Sequence, residues 1–80
     1  MKKDATRIKL SKEQKEEMAA AIQRYFLQER DEEIGALASS LMLDFIIKEL
    51  APEFYNQGVS DSYQFMNERT EDLFSLQIYR

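Results

Sequence analysis

The segment at residues 34–50, IGALASSLMLDFIIKEL, constrains the fold of this chain more than any other. Its apolar residues recur at helical spacing, yet they cover well over half of the helix circumference. A helix that is apolar nearly all round must be covered nearly all round. Two further helices from a chain of 80 residues would hardly supply that cover. We therefore expect a second copy of the chain to supply the rest.

Cysteine and histidine are both absent from the chain. Their absence excludes disulfides, thiolate metal sites, thiol catalysis and histidine as a general base. A domain of this size buries only about 60% of the surface that its unfolded chain exposes, so it usually relies on disulfides, a structural metal or a second copy. Because the first two supports lack their usual residues, we expect a homodimer.

The tetrapeptide SKEQ is a capping box, and it predicts a first helix from Lys12 to about Gln28. Asp31 is a favourable N-cap, and it predicts that a second helix runs from about residue 32 to 50. Both helices carry an apolar face at the spacing of an amphipathic helix.

The stretch APEFYNQGVSDS, at residues 51–62, predicts a corner in the chain. Pro52 suits the first turn of a short helix, and Gly58 can end that turn in the left-handed conformation. Ser60 then serves as the N-cap of a third helix over residues 61–76. The predicted fold is all-α, with three helices and a short helical turn before the third.

The alternating sequence TRIKLS predicts a short strand or extended arm at residues 1–10, ahead of a single helical domain at residues 11–80. Residues 1–15 hold six basic and two acidic side chains, a net charge of +4. Residues 16–80 hold five basic and thirteen acidic ones, a net charge of −8. The chain is thus a basic arm on an acidic body.

Asp44 is a carboxylate in the middle of the apolar segment, where burial without a partner would cost several kcal/mol. If the second helix folds back onto the corner, Asp44, Tyr55, Asn56 and Asp61 would form a small polar pocket. The alternative is a structural network in which the same side chains fix the angle between helices. We favour the structural network.

The sequence offers little to a catalytic or metal site. Its acidic clusters lack the spacing of a calcium loop, and its two glycines form no phosphate-binding loop. We therefore expect no metal, no cofactor and no enzymatic activity. No apolar run approaches the ~20 residues of a membrane helix, and the N-terminus lacks the apolar core of a signal peptide. We expect a soluble cytoplasmic protein that does not bind membranes.

DNA binding is the alternative function. A short basic strand followed by helices is similar to the ribbon-helix-helix repressors, in which two paired strands enter the major groove. In that arrangement Thr6, Arg7 and Lys9 would face DNA, while Ile8 and Leu10 would face the core. The long first helix and the acidic body count against it.

The segments IKLSKEQKEEM, LMLDFIIKEL and PEFYNQGVSD, in this order, resemble the DUF2164 family of small uncharacterised bacterial proteins. The most specific element is FYNQGVSD, together with the LDF that precedes it. The resemblance implies a cytoplasmic bacterial helical protein with no assigned activity, cofactor or partner. The apolar second helix, the missing catalytic side chains and the charge split together predict a non-catalytic, homodimeric interaction module that presents an acidic surface to a protein partner.

Overall fold

The computed structural model describes residues 8–78, which form two helices rather than the predicted three. The first, α1, spans Lys12–Arg30. The second is continuous from residue 36 to 76, and we call it the long helix. Its consecutive segments are α2 (Ala36–Phe45), a π-helical segment (Ile46–Leu50), α3 (Ala51–Asp72) and a final 3-10 turn (Leu73–Leu76).

The capping box at the start of α1 is confirmed. The Gln14 backbone N–H donates to Ser11 Oγ at 3.0 Å, and the Ser11 N–H donates to Gln14 Oε1 at 2.8 Å. The end of α1 differs from the prediction, because Asp31 adopts a left-handed conformation with φ 52° and its N–H donates to the Phe26 carbonyl. Asp31 therefore ends α1 and is not the N-cap of the next helix. Aspartate tolerates this conformation because its short polar side chain can hydrogen-bond locally.

A short linker at residues 31–35 joins α1 to α2, which lies beside it as a helical hairpin. Gln23 Nε2 holds the linker by donating to the Ile34 carbonyl at 3.0 Å. Small residues of both helices line the groove between them, and Ser39 and Leu43 of α2 are buried there. Within residues 8–78 these two are the only buried side chains. The hairpin formed by α1 and α2 therefore has only a small core.

The predicted corner is wrong, because residues 51–62 are helical throughout. Gly58 has a negative φ, so it does not end a helix. The π-helical segment explains how the chain passes Pro52, whose ring would clash with the carbonyl four residues back in an α-helix. In that segment the Ala51 N–H donates to the Ile46 carbonyl, five residues back. This wider turn accommodates the proline and keeps the helix continuous.

The described part of the N-terminal arm forms no strand, because residues 8–11 have no regular secondary structure. Ile8 and Leu10 are half-buried there, and Leu10 lines the groove between α1 and α2. The remainder of the predicted strand, Thr6 and Arg7, lies outside the described residues.

The long helix extends well beyond the hairpin. The radius of gyration is 20.0 Å, whereas a compact domain of this length has about 12 Å. Every described residue from 53 to 78 is exposed. Within residues 8–78, no other element covers most of α3, and this half of the helix holds the candidate site.

Candidate interaction surface

Apolar side chains cover one broad face of the second half of the long helix. At 100° per residue they occupy an arc of about 200°, and polar side chains occupy the rest. We call this face the α3 stripe. Its members are Phe54, Tyr55, Val59, Tyr63, Phe65, Met66, Leu73, Phe74 and Leu76.

The α3 stripe is exposed along its whole length. The exposed fraction is 78% for Phe54, 61% for Met66 and 73% for Leu76. Soluble monomeric proteins rarely expose a contiguous apolar patch of more than a few hundred Å², and larger patches mark contact surfaces. The α3 stripe is therefore a candidate interaction surface.

Arg69 lies within the stripe, but its charge is engaged. Its Nε is 3.2 Å from Asp72 Oδ2, and its guanidinium carbon lies 4.9 Å from the centre of the Phe65 ring. The planar guanidinium thus covers an aromatic face while a carboxylate holds it in place. This arrangement lets an arginine lie on an apolar surface and still offer hydrogen-bond donors at its edge.

A second exposed apolar face lies on α2. Leu37, Leu41 and Phe45 follow one another at four-residue spacing, on the side of α2 opposite Ser39 and Leu43. They remain exposed, at 73% for Leu37. α1 therefore covers only one side of a helix that is apolar on two.

Asp44 lies in a groove between α1 and α2. The groove has a volume of about 560 Å³, and Lys12 and Lys15 line it on the side of α1. Asp44 is exposed, so the burial penalty expected from the sequence does not arise. Within residues 8–78 neither lysine forms an ion pair with it.

The predicted polar pocket is not assembled within one chain. Asp44 belongs to α2, whereas Tyr55, Asn56 and Asp61 belong to α3 of the same continuous helix. At 1.5 Å per residue, Asp44 is about 16 Å from Tyr55 and about 25 Å from Asp61 along the axis. Asp61 instead accepts a hydrogen bond from Gln57 Nε2 at 3.0 Å. Both the pocket and the structural network require a fold-back that the long helix does not make.

Only one of the three predicted DNA-facing residues is among the described residues. Lys9 is exposed in the irregular segment before α1, and Thr6 and Arg7 lie outside the described residues. In the described range no cluster of acidic side chains could hold a metal ion. Neither helix of that range is long and apolar enough to cross a membrane.

The predicted third helix holds six of the nine members of the α3 stripe, and the other three fall in the predicted corner. Met66 and Leu73 stand out as the apolar side of the predicted third helix, but the predicted corner separates them from Phe54. The available signal was an 11-residue spacing: Phe54, Phe65 and Leu76 lie three helical turns apart and follow one line along a straight helix. That regularity spans the corner and indicates one continuous helix.

Comparison with known proteins agrees with the resemblance seen in the sequence. The model of a family described as an uncharacterised conserved protein, DUF2164, matches residues 8–79. The search of curated proteins returned no match, and neither did the search of solved structures. The family match spans most of the chain, from the described end of the arm to the end of the long helix, so the chain belongs to the DUF2164 family.

Proposed function

We propose that this protein is a non-catalytic interaction module that works as a homodimer, with the α3 stripe as its contact surface. One observation carries the proposal: the stripe is apolar over an arc of about 200°, yet every described residue from 53 to 78 is exposed. Burial of such a face against another protein is the main source of favourable free energy that the chain offers.

The exposed area supports an interface of ordinary size or larger. The accessible surface of the chain is 7223 Å², whereas a folded monomer of the same mass has about 5,000 Å². A stable protein interface takes about 800 Å² from each partner. The excess area exceeds that requirement, so the chain can form an obligate interface.

A second copy of the chain suits this surface better than an occasional partner. With only Ser39 and Leu43 buried among the described residues, one chain offers little to offset the conformational entropy lost on folding. A second copy is always present at the same concentration as the first. Its association stabilises the folded state and so offsets the entropy lost on folding. A second copy brings an α3 of the same length with the same apolar face.

The polar side of α3 faces solvent in the proposed dimer. It carries carboxylates at Glu53, Glu68 and Glu71, together with side-chain amides at Gln57 and Gln64. Residues 16–80 have a net charge of −8, and a dimer doubles it. We therefore propose that the outward face meets a protein partner with a basic surface.

The test compares two substitutions that add the same charge on opposite faces of α3. Met66→Glu places a carboxylate in the stripe, and Gln64→Glu places one on the polar side. Light scattering behind a sizing column measures mass independently of shape, which matters for an elongated protein. We expect wild type and Gln64→Glu at twice the chain mass of 9.5 kDa, and Met66→Glu at the single mass with reduced helicity. A fully helical wild-type monomer at micromolar concentration would refute the proposal.

A further inference from the structure

We infer that two copies pack α3 against α3 in an antiparallel orientation, with the two-fold axis near Phe65. The inference rests on the proposed homodimer and adds the geometry of its interface. Two features of α3 lead to it: the unequal distribution of charge along the helix, and the position of the middle of the α3 stripe.

Charge favours the antiparallel orientation. In a parallel pair every residue lies beside its own copy, so Arg69 within the stripe and Asp72 at its edge would each meet a like charge across the seam between the two copies. Like charges at neighbouring interhelical positions destabilise helix pairs and set their orientation. In an antiparallel pair centred near Phe65, Arg69 and Asp72 instead lie opposite the turn at residues 58–62, where Asp61 is the only charged residue. The macrodipoles of the two helices also oppose each other favourably.

The middle of the stripe determines the register. The line of Phe54, Phe65 and Leu76 is symmetric about Phe65, so a two-fold axis at that residue places Phe54 opposite Leu76 of the second copy. This register covers the stripe from end to end. It also places Arg69 opposite the partner's Asp61, once on each side of the axis.

The Arg69–Asp61 juxtaposition accounts for a charge inside an apolar face. Arg69 already contacts Asp72 and the Phe65 ring within its own chain. Arginine has donors for more than one carboxylate, so a second carboxylate across the seam completes its hydrogen bonding. Asp72 lies opposite the partner's Gly58, which has no side chain to clash with it.

The experiment measures distances between spin labels on the polar side of α3. The chain has no cysteine, so Glu53→Cys, Gln64→Cys and Ser75→Cys each provide a single attachment site. These positions are 11 residues apart and share one side of the helix, away from the stripe. Each labelled protein is a homodimer with two identical labels, and pulsed electron resonance reports the distance between them. Mixing with excess unlabelled chain must remove the signal, which shows that it arises between copies.

The antiparallel register predicts unequal distances. Label separations along the axis are about 36 Å at residue 53, about 3 Å at residue 64 and about 30 Å at residue 75. The shortest total distance is therefore expected at residue 64. Three equal distances would overturn the antiparallel inference and leave the homodimer intact. No dipolar signal in any variant, with a single-chain mass by light scattering, would overturn the homodimer and the inference with it.

Discussion

Replacing Gly58 by alanine tests the continuity of the long helix, because the two possible conformations of this residue predict opposite effects. In the structure Gly58 lies inside α3 with a negative φ, and a Cβ atom there would meet nothing within 4 Å. In a helix interior, alanine is more favourable than glycine by about 1 kcal/mol. If residues 51–62 formed a corner instead, the left-handed conformation of Gly58 would penalise alanine by about 1–2 kcal/mol.

Gly58→Ala should therefore raise the free energy of unfolding by about 1 kcal/mol per chain, which corresponds to a rise of roughly 4–8 °C in Tm. Thermal and urea unfolding, followed by circular dichroism at one fixed chain concentration, measure the change. Gly35→Ala is the matched control. Gly35 is the N-cap of α2 in an extended conformation, and alanine is disfavoured at an N-cap. That control should show no gain in stability.

The mass in solution must be measured as well, because Gly58 lies within the arc of the α3 stripe and its substitution could also change association. If Gly58→Ala lost helicity and stability while its mass by light scattering stayed that of wild type, the residue would need a left-handed conformation. The continuous helix would then be wrong. A gain in stability with unchanged mass is the expected outcome.

Two further predictions concern the capping box of α1 and the proposed contact between Arg69 and Asp61 of the second copy. Ser11→Ala removes the side-chain acceptor of the capping box and should lower the free energy of unfolding by about 1 kcal/mol; an unchanged urea midpoint would show that the cap does not contribute. Arg69→Glu should weaken dimerisation, and adding Asp61→Arg should restore most of it in sedimentation equilibrium. Failure of the double variant to recover would show that the two side chains do not face each other across the seam.

The start of α1 could be predicted from the sequence because its cause is local. Ser11 and Gln14 satisfy each other's backbone groups within one turn, so the capping box needs no information from the rest of the chain. The resemblance to DUF2164 could also be predicted, because it depends on the order of residues and not on their contacts.

The corner could not be judged from local signals alone. Pro52 and Gly58 are each compatible with a break, but each is also compatible with a helix under a specific condition. Pro52 needs a wider turn before it, which the π-helical segment at Ile46–Leu50 provides. Gly58 in a helix interior costs only about 1 kcal/mol relative to alanine. Whether these costs are offset depends on burial of the whole stripe, which is a non-local quantity.

The predicted polar pocket also depended on information that is not local in the sequence. Asp44 attracts attention in a linear sequence because apolar residues surround it, but sequence neighbours on a helix point in different directions. In the structure Asp44 is exposed in the groove lined by Lys12 and Lys15. Of its two apolar neighbours, Leu43 is buried in the same groove and Phe45 is exposed outside it. A polar residue in an apolar segment therefore indicates a buried site only when the number and positions of the covering helices are known.

Helix lengths support the proposed homodimer, independently of charge or area. α1 has 19 residues, and so it is about 28 Å long and can accompany α2 and the π-helical segment, which together extend about 22 Å. α3 adds 22 residues, or about 33 Å, in the direction away from the hairpin. No helix in the described part of the chain reaches along that length. Another α3 has the matching length and apolar face, so a second copy can cover what α1 is too short to reach.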